Sequence, residues 1–183
     1  MFKSVFLLFV LVAAFNNNTH GQIFYTKNGS ISFFSKTIVE DIDAKNNQVI
    51  SVINFQTGTI QFSLLNNGFR FPKAKMEEDF KANYMETDKY PRSTFKGVIS
   101  DISNVNFSKD DAYKVNVKGS LSIHGVTKEI EVPGVIIVKN GTISAQTEFN
   151  VLVEDYKISV PSIVSNKIAR SIQIIVNCHY EKK

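Results

Sequence analysis

"YKVNVKGSLSIHGVTKEIEVPG", residues 113–134, decides the fold. Tyr113, Val115, Val117, Leu121 and Ile123 share one parity with Gly119, while Lys114, Asn116, Lys118, Ser120 and Ser122 hold the other. Successive side chains of a strand face opposite sides, so this alternation predicts a half-buried strand with one wet face. His-Gly-Val-Thr (124–127) reverses the chain, and Ile130 and Val132 open the next strand. Gly125 supplies the positive backbone dihedral that a tight turn demands.

The same period recurs on both sides. Ile143, Ala145, Thr147, Phe149, Val151 and Val153 form one run, Ile172, Ile174, Val176 and Cys178 another, and Ile60, Phe62 and Leu64 a shorter one. With "SISFFS", "QVISVINF", "STFKGVISDISNV" and "EIEVPGVIIV" the set reaches about eight strands. "KNGS" (27–30), "QTGT" (56–59), "SKDDA" (108–112) and "KNGT" (139–142) are read as the reversals between them. Short turns between successive strands predict an antiparallel all-β meander. One segment departs from the period: in residues 71–91, Met76, Phe80 and Tyr84 are spaced by four, which predicts a single helix of about three turns. A lone helix in a β protein needs an apolar surface to cover, and a barrel mouth is the natural one.

The N-terminus predicts export. Lys3 precedes the apolar run "VFLLFVLVAAF" (5–15), and Thr19 and Gly21 suit a cleavage site, so residues 1–21 read as a signal peptide and 22–183 as one domain. The run is too short to span a bilayer comfortably. The expected location is the periplasm or the exterior. The remaining 162 residues carry 20 Lys and Arg (21 less Lys3) against 17 Asp and Glu. This excess of +3 is spread along the chain rather than gathered into the basic stripe of a nucleic-acid binder, so no nucleic-acid partner is expected. Cys178 is the only cysteine, which excludes an internal disulfide and cysteine-built metal sites. It shares the apolar phase of its strand and reads as a buried small residue.

Chemistry is hard to find. After export only His124 and His179 remain, too few for a zinc site without several carboxylates. There is no GxSxG, HExxH, phosphate-binding glycine loop or dinucleotide fingerprint, and no cofactor is implied. His124 reads as a turn residue whose imidazole bonds to local backbone. Should the chain be an enzyme acting on a lipophilic substrate, Asp79, Tyr84 and His124 are the groups to examine. The reading favoured from the residues is non-catalytic.

The segments "NYMETDKYPRSTFKG" (83–97), "VKGSLSIHGVTKEIEVPG" (117–134) and "FNVLVEDYKISVPSIV" (149–164) resemble the YceI-like family, polyisoprenoid-binding bacterial proteins with a lipocalin-like barrel. "ISFFSKTIVEDIDAKNNQ" (31–48) is similar to the lead-in of versions from Bacteroidetes-like bacteria. One departure stands out, because Asp79 lies near the position where many relatives carry a histidine. The resemblance implies an eight-stranded antiparallel lipocalin-like barrel with one short helix covering the mouth. It further implies a lipophilic small molecule held inside, a polyisoprenoid or isoprenoid quinone. Relatives can also pair into homodimers.

Residues 22–183 hold 11 Phe and 6 Tyr without a tryptophan. Phe33, Phe62, Phe69, Met76, Phe80, Tyr84, Phe95, Tyr113 and Phe149 fall on or near the apolar phases. Each alone reads as a core filler, and the resemblance implies that as a set they line a ligand tunnel. A filled barrel acting through its outer surface, as a stress-response or interaction module, is the competing architecture. Cavity volume separates the two.

Overall fold

The computed structural model describes residues 23–100 and 102–182. The expected signal peptide lies outside them. Eight strands close into one antiparallel barrel in sequence order: β1 (Ile23–Lys36), β2 (Asp41–Asn54), β3 (Thr59–Leu65), β4 (Arg92–Ile99), β5 (Asp111–Ile123), β6 (Val126–Lys139), β7 (Thr142–Leu152) and β8 (Ser171–Lys182). β8 returns to β1, with Ile31 opposite Val176 and Phe33 opposite Ile174. Closure leaves no unpaired edge.

Two hairpins confirm the turn chemistry. His124 and Gly125 have φ of 50° and 74°, and Asn140 and Gly141 have 49° and 73°. Two successive left-handed residues make the type I′ turn whose twist matches the flanking strands. The four-residue reversal expected at 124–127 therefore tightens to two, and pairing begins at once with Ile123 opposite Val126.

"KNGS" is not a turn. β1 runs straight through it, and the register with β2 slips between Thr26 and Gly29 and again before Ile31. Asn47 and Gln48 on β2 are the matching insertion, so the inward parity passes from Ala44 and Asn46 to Val49, Ser51 and Ile53. This is a β-bulge that bends both strands. Gly29 is required there because a Cβ would stand 2.6 Å from Cys178 Sγ.

The interior divides along the barrel axis. The end holding the 55–58, 100–110 and 140–141 connections is packed solid around Ile53, Phe55, Ile99, Val105, Ile143 and Tyr180. Phe55 meets Phe24 at 4.9 Å and Phe107 at 4.1 Å between ring centres. The Tyr180 hydroxyl and Ser51 Oγ are 2.8 Å apart within this floor. Cys178 is 1 % exposed, and burial pushes its thiol up to about 11. Burial likewise holds the Tyr180 hydroxyl well above its ordinary value.

Both groups stay protonated in the fold, whereas an unfolded thiol ionises near pH 9. The unfolded chain then holds fewer protons, so stability present below pH 9 is lost as pH rises towards 11. At pH 8 a thiol reagent should leave the native protein unlabelled and modify the denatured chain at once. Labelling of the native state at the rate of a free thiol would contradict this packing.

Candidate functional site

The other end of the barrel is open and carries the two longest connections, 66–91 and 153–170. Between β3 and β4 the chain makes one turn of 3₁₀ helix (Asn66–Gly68), then α1 (Ala74–Asp79), then a π-helical turn (Phe80–Tyr84). The expected single α-helix is thus interrupted. The Met85 N–H bonds Phe80 O at 2.8 Å, five residues back. An unbroken α-helix would place Met85 about half a turn away from Met76. The π turn instead brings Met85 onto the apolar side, where it is buried and lines the barrel interior.

Beneath this helical segment lies a hollow of about 550 Å³. That falls within the range of roughly 300–1,000 Å³ typical of small-molecule pockets. Its wall is built from inward side chains of all eight strands, among them Ile31, Ile42, Phe62, Phe95, Leu121, Phe149 and Ile174. The barrel is hollow near the mouth and filled at its floor.

Eight of the nine sequence-derived candidates line this hollow: Phe33, Phe62, Phe69, Met76, Phe80, Tyr84, Phe95 and Phe149. Tyr113 does not. It has the inward parity, but it stands at the filled end, and its hydroxyl donates to the carbonyls of Asn106 and Lys109 at 3.1 and 3.3 Å. Phe71 also lines the hollow, as does Met85, which the sequence missed. Phe33, Phe69, Phe71 and Phe80 interlock under α1, with Phe33 stacked on Phe80 at 5.4 Å and Phe71 5.1 Å from Phe80. Phe95 and Gly97 share a face, and a Cβ on Gly97 would fall 2.6 Å from the Phe95 ring. The glycine lets that ring lie flat along the wall.

Buried polar groups hold the mouth in shape. Asn66 has no exposed surface, and its Nδ2 donates to Tyr90 O at 2.7 Å while Ser93 Oγ donates to its Oδ1 at 2.8 Å. Its backbone N–H bonds Pro91 O at 2.8 Å, so the two feet of the 66–91 connection are pinned together. Asn66→Ala should lower stability by about 2–3 kcal/mol, because it strands buried partners. A denaturant midpoint unchanged from the parent would refute this role.

His124 turns out to be a structural pin. It is 7 % exposed, and its Nδ1 lies 3.1 Å from Tyr156 O and its Nε2 2.9 Å from Glu86 Oε2. The turn reading holds, but the imidazole's partners are 32 and 38 residues away rather than local. Both stand against the ring as hydrogen-bonding oxygens. The Tyr90 ring packs against it at 4.3 Å, and a Cβ on Gly125 would meet Tyr90 at 2.6 Å. One residue thus joins the β5–β6 turn, the helical cover and the β7–β8 connection. His124 does not line the hollow.

Asp79 stands at the mouth, bonded to Lys75 Nζ at 2.8 Å and Asn83 Nδ2 at 3.1 Å. Tyr84 is drawn above its ordinary value by burial and, less strongly, by Asp79. Among the described residues no three His, Cys, Asp or Glu side chains converge on a metal-sized site. No described helix is long and apolar enough to cross a membrane.

The architecture has solved counterparts. A polyisoprenoid binding domain from Saccharophagus degradans, implicated in plant cell wall breakdown, superposes with a TM-score of 0.77 at 14 % identity, covering 88 % of this chain and 99 % of that one. BcnA from Burkholderia cenocepacia gives 0.71 at 17 % identity, over 84 % and 96 % of the two chains. The YCEI protein of Campylobacter jejuni gives 0.58 at 16 % identity, over 76 % and 85 %. At these identities the likeness establishes the fold. No curated protein matches the chain. The model of the YceI-like domain matches residues 13–180, nearly the whole sequence. The chain therefore belongs to the YceI-like family.

Proposed function

We propose that this protein is an exported, non-catalytic carrier of a long lipophilic molecule, a polyisoprenoid or isoprenoid quinone held by its tail. One observation carries the reading: an apolar hollow of about 550 Å³ closed below by a packed floor and covered above by aromatic rings. A structural counterpart described as a polyisoprenoid binding domain supports the ligand class. Lys3 and the apolar run 5–15 support export. The candidate catalytic groups favour binding over turnover, since Glu86 and Tyr156 O occupy the His124 ring nitrogens and Asp79 is tied to Lys75 and Asn83.

Each buried methylene contributes about 0.8 kcal/mol, from which ordering of the tail subtracts. Affinity should then rise with tail length until the hollow is full and level off. Delipidated protein titrated with prenols and quinones of increasing tail length tests this. Affinity independent of tail length, or no binding at any length, would overturn the carrier reading.

A further inference from the structure

Two aliphatic side chains stand wholly out from the described surface at the mouth. Ile38 is 105 % exposed relative to a reference chain and Ile163 87 %. Ile38 tips the β1–β2 turn, which is firmly made: Thr37 Oγ1 accepts the N–H groups of Val39 and Glu40 at 3.2 and 3.0 Å. Ile163 sits in the 3₁₀ turn Ser162–Val164, closed by the Val164 N–H on Pro161 O at 3.0 Å. Its neighbour Val164 lines the hollow. The two turns belong to one rim, because the Ala169 N–H bonds Ser35 Oγ at 2.8 Å. Glu40 accepts from Lys73 at 2.8 Å, and its carboxyl is lowered chiefly by that bond, with Lys167 adding to it.

We propose that this rim is a docking face for an anionic lipid bilayer. Ile38 and Ile163 enter the boundary between headgroups and acyl chains, and the lysines of the rim meet lipid phosphates. The hollow then opens onto hydrocarbon, and a tail passes between membrane and barrel without crossing water. Lys73, Lys75 and Lys167 stand at the mouth against Glu40 and Asp79. Both carboxylates are already paired, Glu40 with Lys73 and Asp79 with Lys75, which also reaches the exposed Glu78 at 3.6 Å. Among the described residues Lys167 makes no ion pair. Long lysine stems reach headgroups while the backbone stays above the surface.

Two prongs on separate turns, divided by mixed charge, do not make the continuous apolar patch that a protein partner or a second copy would cover. A bilayer accepts them without shape complementarity. The proposal rests on the carrier reading for what moves through the mouth.

The test uses the chain starting at Gln22, which contains the whole closed barrel. The sequence has no tryptophan, so Ile38→Trp and Ile163→Trp each introduce a sole indole. Gln56→Trp places one in the exposed turn at the opposite end. With vesicles of phosphatidylglycerol and phosphatidylethanolamine, I38W and I163W emission should shift to the blue and be quenched by brominated acyl chains, and Q56W emission should do neither.

The double variant I38S/I163S should keep its melting temperature and lose at least about tenfold in vesicle partitioning. Failure of the parent protein to bind vesicles, equal quenching of Q56W, or unchanged partitioning of I38S/I163S would each overturn the docking face. So would self-association of the parent that I38S/I163S abolishes without any vesicle binding. Lipid retained in the hollow of a protein that ignores vesicles would fell docking alone. Vesicle binding by a protein that never takes up a tail would fell the carrier reading and leave the docking face standing.

Discussion

Replacing Ala145 by tryptophan is expected to empty the hollow while leaving the barrel closed. Ala145 lies on β7 opposite Ile136 and Cys178, shares the inward parity of Ile143 and Phe149, and lines the cavity. An indole there occupies the space of one or more isoprene units. With about five carbons per unit at about 0.8 kcal/mol each, the gross loss is about 4 kcal/mol per unit displaced, near a thousandfold in affinity. Overpacking costs about 1–3 kcal/mol where the wall is tight, but this side chain faces space. Val98→Trp is the control, because Val98 lies on β4 with 46 % of its surface exposed. Lipid content measured after native purification should fall to background in A145W and stay at the parent level in V98W. Equal loading of A145W and the parent would mean that the hollow is not where the guest sits.

The second large effect is expected at the His124 pin. His124→Ala removes the ring that bonds Tyr156 O and Glu86 and supports Tyr90. A stranded buried carbonyl together with lost packing should cost about 2–4 kcal/mol. For a domain of this size that lowers the melting temperature by roughly 5–15 °C. The backbone at His124 is left-handed, so His124→Asn separates the two contributions. Asparagine suits the turn but does not span to Glu86 and Tyr156. H124N should therefore lose nearly as much stability as H124A. Glu86→Gln keeps an acceptor for Nε2 and should be milder than Glu86→Ala. Recovery of full stability in H124N would show that the turn alone matters and that no pin exists.

Much of the fold was legible because a closed antiparallel barrel repeats one simple rule. Val115, Val117, Leu121 and Ile123 alternate in sequence and face inward in the structure, and the Asn140-Gly141 turn sits where its chemistry puts it. Local signals failed where one residue type serves two geometries. Asn28-Gly29 looks like a hairpin turn and is a bulge, since only the long-range pairing with β2 and β8 tells them apart. The first half of β2, "DIDAKNN", carries only Ile42 and Ala44 on its inward face before the buried polar Asn46, and was not seen as strand. Parity also reveals a face but not a depth. Tyr113 and Phe149 share the inward sense, yet one sits at the floor and the other in the hollow. Met85 was hidden by a π turn that the four-residue spacing of Met76, Phe80 and Tyr84 does not announce. The His124 pin was illegible because Glu86 and the Tyr156 carbonyl approach it only after the barrel closes.

The central claim is that this barrel shelters a hydrocarbon guest. Organic extraction and mass spectrometry of protein purified without detergent from the cells that make it tests that claim most directly. The account predicts a long-tailed amphiphile near one molecule per chain in the parent and its absence in A145W. Repeated preparations of folded parent protein with no bound amphiphile would contradict it.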